Sequence, residues 1–289
     1  MIRKILIAMI AMSMIVLLAL LVRESRSISA QFYIDYSGYV STLRQAQRDH
    51  ETLMDTLDAL TSQAVSVPNT VNTLAARLEQ SKTTLEAPPE SLVSGPVQSA
   101  AARYVSSVNM TLTSLTRFVE SENQLAEAVK VLREDSPEVV RTLRDRGNDA
   151  ISQNLFGLTV DVLDNATGKS SLEPKEIGRR LDDLVALAED NNVSSRAFTR
   201  LIDAAAATPL TRAAVLEELA AIDAAGLEAS AQGLYSAVAA MNASVTSRAD
   251  RARLLLGGLS AVLLLGIAMI GLRLRQSNQA LNETNEELE

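Results

Sequence analysis

The sequence predicts an all-α protein: two transmembrane helices flanking an extracytoplasmic domain of two helical-bundle halves, with long first and last helices. Three observations carry this. Two runs, Ile5–Val22 and Leu254–Leu272, hold no charged residue, and 18 or 19 helical residues at ~1.5 Å each approach a hydrocarbon core of about 30 Å. Between the runs, apolar residues recur at alternating spacings of three and four, the helical period. Aromatic residues make up only 3% of the chain and Trp is absent, while hydrophobic residues reach 47%, a composition typical of helical bundles. The expected organisation is a cytoplasmic N-terminus at 1–4, a first span at 5–22, an extracytoplasmic domain at 23–253 with halves of about 23–166 and 167–253, a second span at 254–272, and a cytoplasmic connector at 273–289.

Taken in order, Met1-Ile-Arg-Lys gives the first span a cationic start. An uncleaved anchor fits better than a signal peptide. The apolar run is long for a signal core, and Leu21-Val-Arg-Glu-Ser offers no small-residue cleavage site. The first helix continues with Tyr36, Val40, Leu43, Gln47, His50, Met54, Leu57 and Ala64 on one face, unbroken until Pro68. From Arg23 to Ser66 it would reach about 66 Å. A second helix begins at Asn69 with Val71, Leu74, Leu78 and Leu85. Pro88-Pro89 and Gly95-Pro96 bracket a loop. A long amphipathic helix follows, with Tyr104, Val108, Leu115, Phe118, Glu122, Leu125, Val129 and Leu132 in line.

Ser136-Pro137-Glu138 reads as the start of the next helix, a capping residue followed by Pro in the first turn. The segment Asn165–Ser171 reads as a loop and as the boundary between the halves. Glu173-Pro174 opens a helix carrying Ile177, Leu181, Leu184 and Leu187, and Ser194 a short one carrying Phe198 and Leu201. Thr208-Pro209 reads as the start of the last helix, which then runs into the second span. Beyond that span, Leu274, Leu281 and Leu288 recur every seven residues, with Asn278 and Asn285 at the alternate seam positions. A Leu seam interrupted by Asn fixes register and favours a parallel dimer. The seam therefore predicts a parallel homodimer.

The formal charge is −8, and 21 cations face 31 anions between Arg23 and Asp250. An acidic domain is repelled by phosphate backbones, so nucleic acid is a poor partner. There is no Cys and one His, which excludes disulfides, thiolate metal sites and Cys nucleophiles; no cofactor or metal site is expected. Gly168-Lys169-Ser170 resembles the end of a phosphate-binding loop, but Leu163 stands where that loop needs Gly. No His follows the second span and no Gly-Gly-Asp/Glu-Glu-Phe segment is present, so these residues hold neither kinase nor cyclase chemistry.

Four residues stand out as candidate ligand contacts. Glu122 lies on a bundle seam, where a carboxylate is costly unless paired. It is either a structural ion pair, with Arg117 or an Arg of the first helix, or, with Asn123, a recognition site for a small polar ligand. His50 lies on the seam of the first helix, as a boundary residue or as a ligand contact or pH switch.

Three stretches together resemble the DAHL family, the double all-helical sensor domains of bacterial histidine kinases and diguanylate cyclases. They are Tyr39-Val-Ser-Thr-Leu-Arg44, then Leu115–Leu125 with Phe118, Ser121, Asn123 and Leu125 ahead of Ser136-Pro137, and Ala205–Leu210 with the Ala-rich helix carrying Tyr235. Arg48-Asp-His-Glu51 departs from that family's first helix. The resemblance implies a periplasmic sensing module in the bacterial inner membrane, with a small-molecule or protein ligand and an output module outside these residues. The other expectation is a structural inner-membrane protein whose periplasmic stalk binds other proteins.

Overall fold

The computed structural model describes the backbone of residues 2–169 and 172–286, and side chains of 30–169, 172–258, 260–262, 264–269, 271–273 and 275–276. The described chain is helical: α1 (Ile2–Thr61), α2 (Asn69–Glu86), a 3-10 turn (Glu90–Leu92), α3 (Gly95–Asp145), α4 (Asp149–Ala166), α5 (Pro174–Asp190), α6 (Arg196–Ala224) and α7 (Leu227–Glu286).

Two expected helix starts are corrected. Pro137 lies inside α3 and Pro209 inside α6. A Pro within a helix removes one N–H and crowds the carbonyl four residues back, yet here packing keeps both helices whole. Ser136 and Thr208, the residues ahead of each Pro, are buried, and their hydroxyls bond within the bundle: Ser136 Oγ to Thr159 Oγ1 at 3.3 Å, Thr208 Oγ1 to the Ala204 carbonyl at 2.8 Å. The breaks fall instead at residues with positive φ. After α3, Gly147 at φ +79° donates to the Arg144 carbonyl (2.9 Å) and Asn148 to that of Leu143 (3.0 Å). This pair of hydrogen bonds is the Schellman termination, which needs a left-handed residue. Gly168 ends α4 and Asn192 ends α5 in the same way, and Gly226 at φ +63° separates α6 from α7.

The chain divides into two packed units, 39–88 with 95–235, and 1–38 with 89–94 and 236–289. In the larger unit, α3 packs against α6, α4 and α2. Arg117 of α3 meets Glu218 of α6 at 3.8 Å, and Asp135 meets Arg200 at 3.5 Å. The numbers rise along one helix as they fall along the other, so the pair is antiparallel. One hydrophobic cluster joins Leu132 and Leu143 of α3, Leu155 and Val162 of α4, Ile177 and Leu184 of α5, and Leu201 of α6. It takes residues from both sides of the 165–171 loop, so the packing does not divide into halves near 166 and 167. Burial of such side chains is the main stabilising term, roughly 1.5–3 kcal/mol for each.

In the smaller unit, Phe32 is buried and stacks on Tyr36, with ring centroids 6.3 Å apart. Ser91 Oγ donates to Asp35 at 2.6 Å. Among the described residues, one helical stretch, within Arg196–Arg273, is long and apolar enough to cross a membrane. In it Leu254, Leu255, Val262, Leu264, Leu265, Met269 and Leu272 are all exposed. Apolar side chains on every face of a helix suit lipid rather than water. The side chains of the first expected span, 5–22, lie outside the described residues. So do those of Leu274, Asn278, Leu281, Asn285 and Leu288, although the backbone through Glu286 is helical.

Candidate functional site

Phe118, Glu122, Leu125 and Val129 form one buried stripe of α3. The helical period brings Glu122 to the seam as the spacing predicts. Its side chain has no solvent exposure, and neither carboxyl oxygen has a hydrogen-bond partner. Desolvation penalises the charged form and lifts the Glu122 carboxyl to about 7, against the lowering effect of the Arg212 charge. Arg212 is half-buried, which works against its own charge, while Glu122 supports it.

Arg212 lies on α6 between Arg200 and Glu218, as the antiparallel pairing with α3 requires. Its guanidinium donates to the carbonyl of Thr61, the last residue of α1. It also runs beside Gly168, where an added Cβ would lie 3.3 Å from Nη2. Asn123, next to Glu122, is exposed, and its Oδ1 accepts the Val67 N–H at 3.2 Å. The α1–α2 connection is thus held at both ends, by Arg212 at Thr61 and by Asn123 at Val67.

Of the four sequence candidates, Asn123 bonds to this connection, while the neighbouring Glu122 is buried without a hydrogen bond to it. Arg117 is not the partner of Glu122. It is exposed and pairs with Glu218, because position 117 of α3 faces outward beside α6. Arg212 is the cation whose charge acts on Glu122, without a hydrogen bond to either carboxyl oxygen, and no local signal marked it, since it lies in a distant helix.

His50 is half-buried, with a buried Nδ1 that has no partner. Desolvation lowers its pKa, opposed by the charges of Glu228, Asp223 and Glu51. It faces a cavity of about 20 Å³ shared with Tyr104 and Glu228. The Tyr104 hydroxyl is also buried and unpartnered, and burial raises its pKa. A space of that size holds about one water, so a metabolite does not fit there.

Larger clefts lie elsewhere in the same unit. One of about 800 Å³ opens between the end of α3 and the start of α6, floored by Val139 and Leu143 and rimmed by Arg146, Arg196 and Arg200. A polar groove of about 550 Å³ lies between α1 and α2. There the buried Asp49 accepts from Gln45 Nε2 at 2.9 Å and lies 3.7 Å from Arg77. None of the four sequence candidates lines either cleft. Among the described residues, no group of His, Asp and Glu side chains is placed to hold a metal ion. Comparison with family models, curated proteins and solved structures finds no match to this chain.

Proposed function

We propose that this chain is the sensory and membrane region of a bacterial receptor of the DAHL type, with its helical domain in the periplasm and both ends in the cytoplasm. The observation that supports this most is the continuity of α7. One uninterrupted helix holds the buried Leu227, Ala231 and Leu234 and the exposed apolar run that follows. A helix is stiff along its axis, so a stimulus that favours one packing of the domain shifts the residues beyond the span as well. The expected Leu and Asn seam of 274–288 then passes the change to a paired copy and to an output module. No catalytic group of this chain takes part.

A scaffold reading draws on Phe156 and Val160, exposed one turn apart on α4, a place where another protein could dock. The absence of Cys permits a direct test in membranes. Asp203→Cys is expected to react with an impermeant maleimide in intact cells, and Gln276→Cys only after lysis. Oxidation is expected to link copies through Leu281→Cys and not through Thr284→Cys. Labelling of both positions from one side overturns the two-pass reading. Equal linking at 281 and 284 overturns the paired seam, and with it the route for a signal.

A further inference from the structure

We propose that Glu122 is a proton-binding switch that sets how firmly the end of α1 is latched, so that the stimulus this domain answers is pH. The inference rests on the receptor reading above and names its stimulus. Glu122 is sealed from solvent, with both oxygens unpartnered. A metabolite cannot reach a carboxyl so enclosed, whereas a proton can be exchanged in brief openings of the bundle. Such a group is tolerated as the neutral acid; ionised, it demands a partner.

The charged groups around it leave one choice. Arg212 of α6 is the cation whose charge acts on the carboxyl. Arg117 and Glu218 pair with each other, while Asp58 of α1 and Lys169 after α4 are exposed. Arg212 is also the donor to the Thr61 carbonyl. When Glu122 gives its proton to water, the new buried charge draws the guanidinium, and the Thr61 carbonyl loses its donor. Asn123, on the next residue of α3, is the other tie to the connection. One titration therefore acts on the latch of α1, and α1 is a single helix from Ile2 to Thr61. A local change of charge acting on a two-state contact is the usual form of a pH switch. Low pH holds the latch closed and high pH releases it.

The test uses the full chain in lipid vesicles, with a spin label on Ser66→Cys, an exposed position of the connection. Label mobility is expected to rise between pH 6 and pH 8 with a midpoint near 7, each pH unit changing the ratio of ionised to neutral Glu122 about tenfold. Glu122→Gln is expected to keep the low-pH spectrum throughout. Arg212→Gln, which lacks the latch, is expected to be mobile at both pH values, and it serves if Glu122→Gln does not fold. Infrared difference spectra of the unsubstituted chain are expected to show a buried carboxyl C=O band that disappears over the same range. The same mobility change in Glu122→Gln overturns the assignment to Glu122. Loss of the carboxyl band with no change at Ser66 overturns the latch. Neither result touches the topology and pairing tests, so failure of the switch is distinct from failure of the receptor reading.

Discussion

The cluster built from the end of α3 with α4, α5 and α6 and the region where α3 meets α1 and the rest of α6 differ in how they treat buried polar groups. In the cluster the buried hydroxyls are satisfied. Ser136 donates to Thr159, Thr159 to the Leu155 carbonyl at 2.8 Å, and Ser152 to the Val140 carbonyl at 3.2 Å. Around α1 the balance is mixed: Asp49 accepts from Gln45 and the Tyr39 hydroxyl donates to the Leu85 carbonyl, but Glu122, Tyr104, Thr111 and the Nδ1 of His50 are buried without partners. An unmade buried hydrogen bond costs roughly 1–3 kcal/mol, so the second region gives up stability that the first retains. Regions that move are drawn from the less stable part of a fold. The contrast makes the cluster a rigid base and the Glu122 region the place where packing can change.

The largest expected effect tests the base. Leu201→Ala removes a fully buried side chain of the cluster and is expected to cost ~2–5 kcal/mol, read from denaturant unfolding. A loss below ~1 kcal/mol would mean that the cluster is no firmer than the rest.

Next comes the pH dependence of the Glu122 region. Burial lifts the folded carboxyl to about 7, against about 4.5 for an exposed glutamate, so between these values the unfolded chain binds fewer protons than the folded one. Stability therefore falls as pH rises from about 4.5 to about 7, and then levels. At ~1.4 kcal/mol per unit the loss is bounded at roughly 3 kcal/mol. Unfolding profiles of Glu122→Gln are expected to lack this slope. A variant with the native slope would place the titration elsewhere.

A smaller effect concerns the end of α3. Gly147→Ala forces a side chain to φ +79°, and a loss of ~1–2 kcal/mol is expected. The smallest pair sharpens the comparison most directly. Ser152→Ala gives up a made bond and is expected to cost ~1 kcal/mol, whereas Thr111→Ala removes a hydroxyl that bonds to nothing and is expected to be near neutral. Equal thermal shifts for the two would erase the difference between the regions.

The helical period was legible throughout. It put Phe118, Glu122, Leu125 and Val129 on one buried stripe and His50 at a boundary, and it identified the apolar run at 254–272. Helix ends were harder. Ser136-Pro137 and Thr208-Pro209 have the local chemistry of helix starts, but tertiary packing covers both and the helices continue. Asp145-Arg-Gly-Asn148 held the better stop signal, a Gly able to take the left-handed turn. The expectation that Glu122 pairs with Arg117 followed from closeness in sequence, and side chains five apart on a helix do not share a face.

The sequence by itself determined the all-helical class, the faces of the helices and the presence of an apolar helix fit for a membrane, because these follow from composition and period along one segment. Only the tertiary structure decided that α3 and α6 run antiparallel, that Arg212 is the cation whose charge acts on Glu122, and that Arg212 donates to the end of α1. Those facts depend on which distant segments share a core, and burial without a partner is a property of that shared environment rather than of any residue alone.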